Sequence, residues 1–354
     1  MQIFSRLKPA PTLAGQPFSN LCSILILAIS LFFCFSAQAA EQPSSNGLMA
    51  KYPSIKAELE KNRFGIPIHL TSSEEQGSLR ADVYGTLNTP FETVKETLQV
   101  PVNWCDIMPL HLNVKACTCR NESDQWLLTL YNGHKQYQST EGASELVLKF
   151  HLVAQQPDYL NITLSAGEGP LLTKDHRIRL EAAPLEGGRT FFHFSYAYSY
   201  GLMARMAIKS YFATIGHDKI GFTVVANDKN GKPVYLGGVR GALERNAVRY
   251  YLALQASLDT LRLPQDQQFE RRISRWYDLS AKYPQLYEMD KEVYLYAKRR
   301  EHANQLMLQK QAGAESCRKE ARFPVRLKVP CERGSEGMTP SRTAFLFYNK
   351  SLFC

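Results

Sequence analysis

Ten consecutive residues, Phe191 to Tyr200 (FFHFSYAYSY), set the strongest constraint on the fold. A β-strand sends successive side chains to opposite faces. Phe192, Phe194, Tyr196, Tyr198 and Tyr200 then share one face, and Phe191, His193, Ser195, Ala197 and Ser199 share the other. Five rings in a row either fill the space beneath a helix or line a concave sheet that grips an apolar ligand, with the phenol tips orienting it. Both readings are open at this point.

The same alternation recurs along the chain. Leu79, Ala81 and Val83 face one way. So do Trp126, Leu128 and Leu130, then Leu146, Leu148, Phe150 and Leu152, then Leu160, Ile162 and Leu164, then Ile178, Leu180 and Ala182. Residues 220–225 are expected to add one more strand. Short polar turns, such as Asn132-Gly133 and Glu186-Gly187-Gly188, bound these segments, so an antiparallel sheet with one dry face is expected. Thr89-Pro90 predicts a helix start, with Thr89 as cap and Phe91, Val94 and Leu98 following. After Gly237-Gly238, Leu243, Ala247, Tyr250, Leu254, Leu258 and Leu261 form the apolar stripe of a long helix. Glu244, Arg245 and Arg249 lie off or beside that stripe. They are read as solvated or structural ion pairs, with contact to a ligand headgroup as the alternative.

Residues 265–310 are charged and helical in pattern, broken at Tyr283-Pro284, with Phe269, Ile273, Trp276 and Tyr277 as anchors of a helical hairpin. From Gly313 the periodicity stops. At the other end, Arg6 and Lys8 precede an apolar run, Leu21 to Phe35, and Ala37-Gln38-Ala39 offers a cleavage site. That is the pattern of an export signal, and the run is shorter than the roughly 20 residues of a spanning helix. An uncleaved membrane anchor is the lesser alternative. The expected divisions are a signal at 1–39, a leader at 40–69, a main domain at 70–263, a helical extension at 264–312 and a disordered tail at 313–354.

The net charge of +9 is carried mainly by the two ends, because residues 40–309 hold 31 Lys or Arg against 29 Asp or Glu. A nucleic-acid-binding body is therefore not supported. Beyond residue 39 the chain has six cysteines, Cys105, Cys117, Cys119, Cys317, Cys331 and Cys354. In an oxidising compartment these favour disulfides, and Cys105 with Cys117 closes the smallest convenient loop. A metal site on Cys105, His111, Cys117 and Cys119 competes, but the spacing matches no standard zinc pattern.

The order of elements is strand, one or two helices, about six antiparallel strands, then a long helix. Leu79-Arg-Ala-Asp-Val-Tyr-Gly85 followed by Pro90-Phe91-Glu92-x-Val94 resembles the first strand and helix of START-like proteins, the SRPBCC superfamily. Val239-Arg240-Gly241-x-x-Glu244-Arg245-Asn246-x-x-Arg249-Tyr250-Tyr251 resembles the closing helix of exported bacterial members without an assigned activity, and Lys282-Tyr283-Pro284-Gln285-Leu286 their helical extension. The resemblance spans residues 70–310. It implies an α+β helix-grip fold, in which a curved sheet wraps a long helix around a cavity. The superfamily includes lipid carriers, cyclases and hydrolases, so the fold does not choose among them.

No nucleophile elbow, zinc helix or phosphate-binding loop is present in the sequence. His151 and His193 fall on the outer side of their strands, while His111 and His217 sit at element ends without a visible partner. Met203, Arg205, Met206 and Lys209 follow the aromatic strand and suit either a lid or a membrane-surface contact. The expected function is therefore binding or carriage of a hydrophobic, lipid-like molecule in the cell envelope, with no cofactor, metal or catalytic residue assigned. The binding residues are taken as Phe192, Phe194, Tyr196, Tyr198, Tyr200, Leu243, Tyr250 and Leu254. An envelope scaffold with a filled cavity is the second expectation, and a cyclase or hydrolase the third.

Overall fold

Two tight turns start and register the sheet. Gln76-Gly77 and Ser123-Asp124 all have positive φ, the geometry of two-residue hairpin loops, and they join β1 (Ile68–Glu75) to β2 (Ser78–Leu87) and β3 (Val114–Glu122) to β4 (Gln125–Asn132). The computed structural model describes residues 44–214 and 219–322; for 204, 207–209, 211 and 314–322 only the backbone is described. The expected export signal and the residues after 322 lie outside this range.

Four more strands, β5 (Ser144–Gln156), β6 (Tyr159–Glu168), β7 (Thr173–Leu185) and β8 (Arg189–Tyr200), complete an antiparallel sheet of order β1-β2-β8-β7-β6-β5-β4-β3. Its inner face is built by the alternating residues: Leu79, Ala81 and Val83, Leu128 and Leu130, Leu148 and Phe150, Ile162 and Leu164, Ile178 and Leu180, and Phe192 and Phe194 are all buried. Two helices follow. Helix α1 (Ser45–Glu60) precedes β1, and α2 (Phe91–Leu98), starting one residue after Pro90, leads with the short α3 (Trp104–Ile107) to β3. Helix α4 (Leu202–Ala213) follows β8 directly, and α5 (Gly238–Asp259) packs across β1, β2 and β8. This is an α+β fold in the helix-grip arrangement, a large antiparallel sheet held against a long helix.

Residues 220–225 do not join this sheet. A short ribbon of β9 (Val224–Asn227) and β10 (Pro233–Tyr235) stands apart. The amides of Phe222 and Thr223 donate instead to the Glu244 carboxylate at 2.7 and 2.9 Å, so that stretch of backbone is bound to α5. Gly241 allows the approach: a Cβ there would lie 2.5 Å from the Leu236 carbonyl oxygen.

The extension is two helices, α6 (Gln265–Ser280) and α7 (Lys291–Arg322), with Ile273 and Trp276 buried against α5. Helix α7 continues through Gly313 to Arg322, ten residues past the boundary expected from the sequence. One glycine is a tolerable break among the alanine, glutamate, lysine and arginine residues around it.

Helix α7 also seals the β3 edge. Gln305 accepts from the Cys117 amide at 2.8 Å and donates to the Cys105 carbonyl at 2.9 Å; Gln309 takes the Cys119 amide and carbonyl, both at 2.7 Å. Four helical residues rise about 6 Å, and two strand residues about 6.6 Å. The two glutamines therefore match the strand's own repeat. Deeper along the same contact, Lys115 and Lys298 share the buried Glu301 at 2.9 and 2.8 Å.

Finally, α1 lies on the outer face of the sheet, where Leu48, Ile55 and Leu59 form a second core with Tyr159, Ala183 and Phe191. The sheet is thus covered on part of both faces.

Candidate functional site

The aromatic row of β8 divides into two parts. Phe192 and Phe194 are fully buried, and their rings meet Tyr251 at 5.2 Å and Tyr250 at 6.1 Å. Gly85 makes room for Phe192, since a Cβ at residue 85 would come within 2.7 Å of that ring. Leu243 and Leu254 are buried beside them in α5. Four cavities among the described residues, the largest of about 730 Å³, have none of the eight expected binding residues in their walls.

Further along the strand the environment changes. Tyr196 and Tyr198 are half-buried, 5.7 Å apart, and the Tyr196 ring lies 5.9 Å from Tyr250. Among the described residues, no protein group hydrogen-bonds the hydroxyls of Tyr196, Tyr198 or Tyr250. Tyr200 differs, because its hydroxyl donates to Glu74. Burial pushes Tyr196 up to about 12 and raises Tyr198 and Tyr250 above the ordinary phenol range. These three groups are neutral hydrogen-bond donors at any physiological pH. Their chemistry suits holding an acceptor oxygen, and no base lies bonded to them to make them nucleophiles or acids.

His111 stacks on the far side of Tyr250 at 4.9 Å. Burial and the nearby Arg249 push its pKa well below the usual value, against the hydrogen bond with Asn246. Its Nε2 meets Asn246 Oδ1 at 3.1 Å and its Nδ1 accepts from the Asn113 amide at 3.2 Å. It is a neutral imidazole with both nitrogens occupied, a structural support for Tyr250.

The most highly connected polar cluster is on the opposite face. His193 Nε2 lies 2.7 Å from Asp82 and Nδ1 2.8 Å from Glu181, while Tyr84 stacks on the ring at 4.1 Å. Glu181 also accepts from Tyr159 at 2.5 Å and Arg179 at 2.8 Å, and Asp82 from Arg80 at 2.8 Å. Burial opposes every charge here, but the hydrogen bonds prevail: Asp82 and Glu181 are held below the carboxylate range and His193 is raised. The signal was present in the sequence as three outer-face residues on strands β2, β7 and β8. Only the register, which sets Glu181 opposite His193, brings them together.

Arg245 and Arg249 are buried and paired with Glu288 in the α6–α7 connection, and Glu244 is buried among Ser72, Phe222 and Thr223. None of the three is solvated: the α6–α7 connection covers Arg245 and Arg249, and the backbone at Phe222 and Thr223 covers Glu244. Cys105 and Cys117 form a disulfide between α3 and β3, and Cys119 is a buried thiol that burial pushes up to about 12. No group of three or more His, Cys, Asp or Glu residues suited to a metal occurs among the described residues.

Fold and site together define a helix-grip protein in which two phenols of the aromatic strand, Tyr196 and Tyr198, and one of the long helix, Tyr250, have no protein hydrogen-bond partner among the described residues. No family model matches the chain, and no curated protein matches it. Among solved structures, human StAR-related lipid transfer protein 5 is similar at TM-score 0.32 and 11% identity, covering 62% of this chain and 98% of that one. The Zhui aromatase/cyclase from Streptomyces sp. R1128 is similar at TM-score 0.27 and 11% identity, covering 59% and 94%. Truncated norcoclaurine synthase from Thalictrum flavum follows at TM-score 0.28 and 11% identity, covering 39% and 86%. None of these likenesses carries an activity or a ligand to this chain.

Proposed function

We propose that this protein binds and carries a hydrophobic, lipid-like ligand bearing a hydrogen-bond acceptor, as an exported START-like protein of the cell envelope. The observation that carries this reading is the set of phenols Tyr196, Tyr198 and Tyr250, whose hydroxyls find no hydrogen-bond partner among the described residues. A hydroxyl that water can reach but no protein group bonds keeps its proton for a ligand oxygen, a hydrogen bond worth about 0.5–1.5 kcal/mol net. Phe192, Phe194, Leu243 and Leu254 form the packed apolar layer next to them. Tyr200 closes the row at the strand end.

A second observation fits carriage. The β6–β7 turn and α4 meet at that same end, because Thr173 pairs with Tyr200. There Leu171, Leu172, Leu202, Met203 and Met206 are 61–83% exposed, with the cation Arg205 among them. An apolar rim with a basic residue suits transient contact with a lipid surface during loading. No described helix is long and apolar enough to cross a membrane.

The scaffold reading is favoured by one feature, the close stacking of Phe192 on Tyr251, which fills the deep end of the interior. Native mass spectrometry of the protein purified from its envelope without detergent separates the two. A co-purifying lipid of defined mass, lost when Tyr196, Tyr198 and Tyr250 are all changed to Phe, is the expected result. A clean apo mass after incubation with envelope lipids gives the scaffold reading instead. Retention unchanged in a folded Phe194→Ala/Tyr196→Ala variant overturns the placement.

A further inference from the structure

Glu288 stands among more positive charge than it neutralises. Its carboxylate bonds Lys135 from the β4–β5 loop, Arg245, and Arg249 at 3.1 Å, and Arg249 also donates to the Leu286 carbonyl at 3.2 Å. The two arginines are only 5% and 3% exposed, yet among the described residues the Nε of each has no partner. An unpaired N–H on a buried cation is unusual, since such groups are nearly always bonded. Both guanidinium groups line a cavity of about 400 Å³ with Lys135, Lys219, Asn246 and Glu288. A second cavity, of about 730 Å³, shares Lys219, Arg245 and Glu288 and adds Arg63 and Lys282.

The electrostatics agree with an unfilled demand for negative charge. Burial lowers Lys135, Glu288 opposes this, and Lys219 and Arg245 lower it further. Burial and then Arg245 bring Arg249 down to about 10. Among the described residues, Arg245, Arg249 and Lys135 stand against the one carboxylate of Glu288, an excess of two positive charges. A phosphate monoester carries about −1.5 to −2 at neutral pH and three acceptor oxygens. Arginine forks match such oxygens in pairs.

We infer that the chamber formed by Arg245, Arg249 and Lys135 is a binding site for a phosphate group, with Glu288 as the resident counter-charge that an incoming phosphate displaces. The site stands on its own residues, whatever occupies the phenol cluster. A phosphate belonging to an amphipathic ligand and a small free phosphate ester share this chemistry.

The test is isothermal titration of the full chain at pH 7 with inorganic phosphate, octyl phosphate and octanol, at constant ionic strength held with chloride. Wild type is expected to bind inorganic phosphate, and Arg249→Gln or Arg245→Gln to weaken it at least tenfold. Glu288→Gln is expected to tighten it, which a purely structural ion pair does not do. Should Glu288→Gln fold poorly, phosphate is expected to raise its melting temperature more than matched chloride does, and by more than in wild type. Octyl phosphate binding at least tenfold tighter than inorganic phosphate assigns the group to an amphiphile headgroup; equal affinities assign it to free esters. No phosphate-specific heat or melting shift in wild type overturns the site, as does a folded Glu288→Gln that binds no tighter. Octanol binding with no phosphate response overturns it while leaving the phenol site intact.

Discussion

Replacing His193 with Gln tests the charge state of the outer-face cluster. Each ring nitrogen faces a carboxylate, Asp82 at 2.7 Å and Glu181 at 2.8 Å. A neutral imidazole has one N–H, so only the cation donates to both. Gln reaches at most one of them. Breaking a buried pair costs about 3–5 kcal/mol, but Arg80 still holds Asp82 and Arg179 still holds Glu181, which brings the expected loss to about 2–3 kcal/mol. His193 is raised in the fold, so its contribution is fully present below about pH 6.5 and fades as pH rises through the folded value. The two carboxylates are lowered, so their contribution is present above about pH 4.5 and is lost as acid protonates them. Urea unfolding of wild type and His193→Gln from pH 5 to 9.5 reads the difference. It should be greatest near pH 6 and shrink toward alkaline pH. A difference constant across that range, or growing with pH, would refute a cationic His193.

Three further outcomes follow from the packing. Gln305→Leu leaves the Cys117 amide and Cys105 carbonyl unpaired in a buried place and should cost about 2–4 kcal/mol in urea unfolding, whereas Gln309→Leu, nearer solvent, should cost about 1. Equal costs at the two positions would contradict the edge-sealing role. Lys298 is brought down to about 8, chiefly by burial, so the unfolded chain binds the extra proton between about pH 8 and 10.4 and this residue's contribution rises with pH there. The stability of wild type minus that of Lys298→Met should rise over that interval; a fall would exclude it. Cys105→Ala/Cys117→Ala opens a loop of 12 residues and should lower stability by about 3 kcal/mol, read as a lower urea midpoint.

The strands that face solvent on one side were legible because burial imposes a period of two. Thus the Phe191–Tyr200 alternation survives residue for residue on β8. β3 was not legible, because Val114 to Cys119 is buried on both sides by α7 and the core, and Lys115 inside it is satisfied by Glu301, 186 positions away. β1 was missed for the opposite reason: Ile68–Glu75 is a mostly polar edge strand held by pairing with β2. The aromatic row was readable as a face, but its division into stacked and unpaired rings depends on Tyr250 and Tyr251 in α5. Glu288 gave no local sign, since its partners come from residues 135, 245 and 249.

The glutamine ladder also has a consequence in time. Gln305 and Gln309 lie 188 and 190 residues beyond the amides they bind. At about 5–20 residues per second, synthesis leaves the β3 edge without its cover for roughly 10–40 s. During that interval the Cys119 thiol sits two residues from Cys117 with no helix over it, free to compete for Cys105. Disulfide formation takes seconds to hours, so a pairing made before α7 packs is open to exchange with Cys119, and one made afterwards is held beneath the helix.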